Sequence, residues 1–220
     1  MAIVALRGVS KSFRGTELFR GVDLDVEPGT TTAVTGPNGA GKSVLLMLMC
    51  GFAQPTNGSV EIDVRYLSRG RTYPERFGVC INGPAVLPGL SAEDNLLRLA
   101  AIRGEVGPAE VRATLARVAL HTGRKRARTF SLGMRQRLSL AQALLERPAV
   151  LLLDEPFNAL DADGVELVRG ILREERARGT AIVFTSHQPA DVEALADRVF
   201  EFRGGTLVER AERSGPSAAG

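Results

Sequence analysis

The chain has 220 residues, 44% of them hydrophobic and 24% charged, which excludes a chain disordered as a whole and leaves one domain long enough to bury a core. A net charge of +3 is too weak to argue for nucleic acid by itself. The longest apolar run, residues 44–50, is far too short to cross a bilayer, and no basic stretch precedes an apolar core at the N-terminus, so neither a membrane-spanning nor a secreted protein is expected.

In chain order, short strands are expected at 3–6 and at 22–26, where Val22-Asp-Leu-Asp-Val26 alternates as a half-buried strand does. The Pro28-Gly29 turn leads to a β-branched strand at 31–35, then an apolar helix at 42–51 closed by Gly51. Strands follow at 59–62 and 77–81, then a loop rich in Gly and Pro, and helices at 92–102 and 108–119. Ser91, with Asp94 three residues on, is the expected N-cap of the first of these. The last third alternates helix 133–146, strand 149–153, helix 164–177, strand 180–185, helix 190–196 and strand 199–203. That alternation predicts an α/β fold with a mainly parallel sheet. The tail from Ala211 is expected to be disordered. Cys50 and Cys80 sit in apolar surroundings without metal or redox spacing, and are expected in the core of a cytosolic protein.

Three segments carry chemistry. Gly36-Pro37-Asn38-Gly39-Ala40-Gly41-Lys42-Ser43 follows a strand and opens a helix that continues at Val44. Glycines let such a loop turn its amides onto phosphates, and the helix N-terminus adds positive charge. Lys42 is placed to reach the terminal phosphates of a nucleotide, and Ser43 to ligate Mg²⁺. Of 28 Lys and Arg, all but Lys11, Lys42 and Lys125 are Arg, so a lysine at this point marks a demand for a compact charge. The apolar strand ending in Asp154-Glu155 is expected to bring Asp154 beside the phosphate loop of a neighbouring strand as a second Mg²⁺ ligand, with Glu155 taking a proton from an attacking water. Ser131 and Gly133 at a helix start offer a hydroxyl and free N–H groups, either an ordinary N-cap or a second anion site. One phosphate chain can meet both sites only across a dimer.

Together these segments resemble the ATP-binding subunit of ATP-binding cassette (ABC) transporters, over about residues 3–209. Residues 36–43 resemble the Walker A loop, 150–155 the Walker B strand, 131–136 the signature, and Asn158-Ala-Leu-Asp161 the D-loop. His187 resembles the switch histidine, and Phe13 the aromatic that stacks on adenine. The resemblance implies a single domain over 1–210 with a P-loop NTPase core, an N-terminal antiparallel β subdomain and an inserted helical subdomain over about 84–135. It implies ATP and Mg²⁺ as cofactors and catalysis by Glu155, His187 and Lys42. ATP would be held by Phe13 and residues 36–44, and in trans by Ser131, Leu132, Gly133 and Met134 of a second copy or a paralogous ATPase. The partner it implies is a separate integral membrane permease docked near residues 82–97, with the chain peripheral on the cytoplasmic face of the membrane.

Two departures stand out. Asn82 replaces the family's Q-loop glutamine, a Mg²⁺ ligand, and the signature reads Phe130-Ser-Leu-Gly-Met134. The latter resembles small cassettes of antibiotic and bacteriocin export, so export of a drug, peptide or other hydrophobic substrate is the expectation. The alternatives are a soluble cassette ATPase or a regulatory nucleotide-binding module. The basic run Arg124-Lys-Arg-Ala-Arg128 has no interleaved aromatics, so it is read as a solvated loop and no nucleic-acid partner is expected.

Overall fold

Nine strands and six α-helices form among the residues that the computed structural model describes, 1–67 and 74–210. The expected disordered tail from Ala211 lies outside them. In order they are β1 (Val4–Phe13), β2 (Thr16–Val26), β3 (Thr31–Thr35), α1 (Lys42–Met49), β4 (Asn57–Ile62), β5 (Phe77–Cys80), α2 (Ala92–Arg103) and α3 (Pro108–Arg117). Then follow α4 (Leu132–Leu144), β6 (Val150–Leu153), α5 (Ala162–Ala177), β7 (Ala181–Thr185), α6 (Pro189–Leu195), β8 (Arg198–Arg203) and β9 (Thr206–Glu209).

The expected strands 3–6 and 22–26 are the two ends of one long hairpin, paired from Val4↔Val26 to Phe13↔Thr16. Its turn, Arg14-Gly15, has positive φ at both residues (49° and 83°), as a two-residue turn matching the strand twist requires. Arginine at the first turn position gives no turn signal, which is why the hairpin escaped the sequence. Strand β9, also unforeseen, returns along β8 through Gly204-Gly205, again with positive φ at both. There a Gly-Gly pair did carry the signal.

Two sheets result, an antiparallel one of order β2-β1-β4 and a six-stranded one of order β5-β6-β7-β3-β8-β9. In the larger sheet only β9 is antiparallel. Its central strands are buried on both faces, so they read as continuous apolar runs. The two-residue period divides them between two cores. Leu151, Leu153, Ile182 and Phe184 pack with the helices of the 84–135 region, while Val150, Leu152, Ala181 and Val183 pack with α1 and the antiparallel sheet.

The helical lobe of α2 and α3 is tied to the rest by charge. Arg117 at the end of α3 bonds Glu175, which is buried, and Glu174 at 2.8 Å, both on α5. Glu175 also accepts from Arg178 at 2.9 Å and Thr180 Oγ1 at 3.2 Å, so this buried carboxylate does not go unpaired. Ser91 caps α2 as expected, accepting the Asp94 amide at 3.1 Å.

Each cysteine reports one core. Cys50 belongs to the cluster around α1 and Cys80 to the one beneath the helical lobe; both are buried and free. Burial pushes both thiols above their ordinary pKa, which lowers the thiolate fraction. In the native protein neither should react measurably with an aromatic disulfide reagent over minutes at mildly alkaline pH. In denaturing guanidinium both should react at once; absorbance of the released thiolate measures this.

Candidate functional site

Strand β3 runs out at Thr35, and the chain wraps through Gly36–Gly41 into α1. The helix N-cap, Gly41, has φ of 100° and supplies no side-chain cap, and no acidic residue occupies the first turn. Any Cβ at Gly41 would lie 2.7 Å from the Phe19 ring. The first amides of α1 have no intrahelical acceptor, and the positive end of the helix dipole is left to whatever sits in front of it. Lys42 is buried, its ammonium donating to Gly36 O at 2.8 Å and Pro37 O at 3.1 Å. The loop therefore closes around a single fixed positive charge.

Asn38, Gly39, Gly41, Lys42, Ser43 and Val44 line a cavity of about 400 Å³, together with Phe13, Leu18, Asp154 and Glu155. Pro37 and Ala40 lie on the other side of the loop, in a smaller cleft beside Phe202 and Gly204. Phe13 stands at the hairpin tip, half-exposed, with Lys11 Nζ 4.8 Å from its ring centroid. That lysine also donates to Gln54 O at 2.7 Å, so the aromatic is held from one side.

Asp154 does not come from the strand next to the loop's own, as the sequence suggested. Strand β7 lies between β6 and β3, and it is α1 that carries Ser43 across to β6. Ser43 Oγ donates to Asp154 Oδ2 at 2.6 Å. The other oxygen, Oδ1, accepts from Thr185 Oγ1 at 2.7 Å. Glu155 follows with φ of 49°, a conformation that non-glycine residues take at a cost. Its amide donates to Thr185 Oγ1 at 2.9 Å, and its Oε2 lies 3.0 Å from His187 Nδ1. His187 Nε2 lies 3.2 Å from the Gln188 side-chain nitrogen. With Gln188 so placed, a neutral imidazole carrying its proton on Nδ1 satisfies both contacts.

Asn82 occupies the Q-loop position that made it a candidate Mg²⁺ ligand. Its main-chain amide donates to Asp154 Oδ2 at 3.3 Å, while its side-chain nitrogen points to Met47 Sδ at 3.9 Å. The residue has a φ of 60°, which Asn tolerates better than most. The Ser43 hydroxyl and Asp154 carboxylate are hard oxygen donors that suit Mg²⁺. Among the described residues no group of three or more His, Cys, Asp or Glu is placed to hold an ion, so Mg²⁺ at this point needs phosphate and water oxygens as well.

None of Ser131, Leu132, Gly133 and Met134 lines this cavity. Ser131 caps α4, accepting the Met134 amide at 3.2 Å, and Leu132 is exposed. Gly133 lies against the D-loop of its own chain, where a Cβ would come within 2.8 Å of Ala159 O. Asp161 caps α5 through the Gly164 amide at 2.9 Å and meets Arg137 at 3.3 Å. Buried Gln136 donates to Pro156 O at 3.2 Å and Glu155 O at 3.4 Å. Sequence reasoning gave no role to Thr185 or Arg137, and placed Gln136 only within the signature segment. For Thr185 a signal existed, as a hydroxyl ending the otherwise apolar strand Ala181-Ile-Val-Phe.

A family model described as ABC transporter matches residues 19–158. The chain is 35% identical over 206 residues to the uncharacterized ABC transporter ATP-binding protein YybJ of Bacillus subtilis (strain 168), covering 93% of this chain and 94% of that protein. It is 33% identical over 210 residues to the lantibiotic transport ATP-binding protein SrtF of Streptococcus pyogenes, covering 94% and 90%. A dimeric structure of a post-hydrolysis state of an ATP-binding cassette bound to ADP and Pi superposes with a TM-score of 0.82 at 22% identity, over 94% of this chain and 97% of that one, a likeness of fold.

The contact between Gly133 and Ala159 makes a prediction independent of any ligand. In Gly133→Ala the D-loop must shift to admit the methyl group, at about 1–3 kcal/mol. The melting temperature should drop by several degrees, as differential scanning fluorimetry would register, whereas Leu132→Ala, at an exposed position, should leave it nearly unchanged.

Proposed function

This chain belongs to the ABC transporter family, and from that premise we propose that it is the ATP-hydrolysing subunit that energises a separate membrane permease. The single observation that carries this reading is the convergence on one cavity of Lys42, Ser43, Asp154 and Glu155, with His187 bonded to the last.

The α1 amides and Lys42 bind the phosphates of ATP, and Phe13 stacks on the base. Ser43 and Asp154 would hold Mg²⁺, which when bound neutralises charge on the β- and γ-phosphates. Water attacks the γ-phosphorus in line with the bond to the β-phosphate oxygen; that bond breaks, and ADP leaves. Glu155 accepts the proton of the water, and the Nδ1–H of His187 keeps the carboxylate turned toward it. The intact Glu155–His187 pair speaks against a regulatory module that hydrolyses poorly.

Ser131, Gly133 and their neighbours stand apart from this cavity, so they act on the ATP of a second copy or a paralogue, packed head to tail. Support comes from the uncapped α1 and the separate α4 N-terminus within one chain, and from the dimeric state named for the cassette of like fold. No described helix is long and apolar enough to cross a membrane, and a permease supplies that part, with this chain on its cytoplasmic face. The docking region is 82–97, where Leu87 is exposed and where Ala85 lines a groove of about 340 Å³ together with Leu99 and Phe52. The name of SrtF, together with the Phe130–Met134 segment, supports export of a peptide or other hydrophobic compound.

Two experiments test this. Glu155→Gln keeps size and hydrogen bonding without the base, so with Mg-ATP it should move to a dimer on size exclusion, while Lys42→Ala and Ser43→Ala stay monomeric; identical profiles for all three would sink the head-to-tail mechanism. In steady-state phosphate release at saturating Mg-ATP, His187→Ala should lose on the order of a hundred-fold or more, and Asn82→Ala only several-fold, because the Asn82 contact to Asp154 runs through the main chain. Equal losses would make the Asn82 side chain a metal ligand after all.

A further inference from the structure

Strand β7 ends in a threonine that has no solvent exposure at all. The parallel register sets Leu153 opposite Phe184, and this brings Thr185 level with Asp154 at the carboxyl edge of the sheet. Its hydroxyl has two partners, Asp154 Oδ1 at 2.7 Å and the Glu155 amide at 2.9 Å. A carboxylate only accepts and an amide N–H only donates. The one hydroxyl proton therefore goes to Asp154, and an oxygen lone pair takes the Glu155 N–H. The direction of the chain of bonds admits no alternative.

What this bridge holds is the orientation of both acids. Asp154 is bonded on Oδ2 by Ser43 and the Asn82 amide, and Thr185 is its partner on Oδ1, so together they fix the carboxylate plane. At Glu155 the main chain sits at φ 49°, and its N–H is held by the Thr185 hydroxyl at 2.9 Å. Two residues further along, His187 takes the Glu155 side chain. The end of β7 thus grips Glu155 twice, by its amide and by its carboxylate.

We propose that Thr185 is a positioning residue for ATP hydrolysis, whose single hydroxyl sets the Mg²⁺-binding face of Asp154 and the turn that aims Glu155 at the attacking water. The proposal rests on the ATPase reading of the site. A purely structural threonine would matter through its shape, which Val keeps, more than through its hydroxyl, which Ser keeps. A positioning threonine gives the opposite order, since a misplacement of about 1 Å costs on the order of a hundred-fold in rate.

The test uses the full chain in three forms, wild type, Thr185→Val and Thr185→Ser, with Thr185→Ala in place of the Val form should that one not fold. Turnover and half-saturating ATP are measured with Mg-ATP, and hydrogen exchange of the Glu155 amide without nucleotide or metal. In Thr185→Val, turnover should fall on the order of ten- to a hundred-fold, with half-saturating ATP within about two-fold of wild type. The Glu155 amide should exchange at least about ten-fold faster. Thr185→Ser should keep both properties within about three-fold. Wild-type turnover in Thr185→Val, equal damage in the Ser and Val forms, or an unchanged Glu155 amide would overturn the proposal. A wild type with no ATP turnover would overturn the ATPase reading instead, and the amide measurement would still decide whether Thr185 holds Glu155.

Discussion

The hydrogen bond from Ser43 to Asp154, 2.6 Å long and spanning 111 positions of the chain, is the contact on which the site depends. It joins the first turn of α1 to the end of β6, two elements that share no sheet edge. Without it the phosphate loop and the acids would be separate features of one sheet. The contact is possible because β3, β6 and β7 run parallel and end on one edge, where open α/β sheets gather their ligands.

That edge is built from apolar strands whose two faces feed different cores, so none of them can slide by one residue without exchanging its inside for its outside. The rigidity so obtained lets the site carry unfavourable backbone at its centre. Glu155, Asn82 and Ala159 all have positive φ without being glycine. Each lies where a turn must present a group to its neighbour: an amide to Thr185, an amide to Asp154, a carbonyl to Gly133. Such strain persists where the surrounding packing over-determines it.

The signature helix belongs to the same block. Gln136 holds the carbonyls of Glu155 and Pro156, Arg137 reaches the cap of α5, and Gly133 seats the D-loop. Any displacement of α4 is thereby felt at the turn that carries Glu155. Arg117 and Glu175 tie the other end of the lobe to α5, through a buried carboxylate that also accepts from Arg178 and Thr180.

The sequence by itself determined most of the elements and the chemical groups. Glycines before a lysine, a hydroxyl one residue later and two acids after an apolar strand are local patterns, and local patterns survive in one dimension. The helix cap at Ser91 was legible for the same reason, since a cap is a contact over three residues, and a cap was one of the two readings open at Ser131. Tertiary structure alone decided which strand lies between which. That β7 separates β3 from β6, and so delivers Thr185 between the two acids, is a matter of sheet order that no window of sequence contains. It likewise decided that Asn82 meets Asp154 by its main-chain amide and Met47 by its side chain, contacts made across 72 and 35 positions of the chain. Composition and spacing specify which groups are present; their direction is set by contacts between distant segments, and those form only when the sheet has closed.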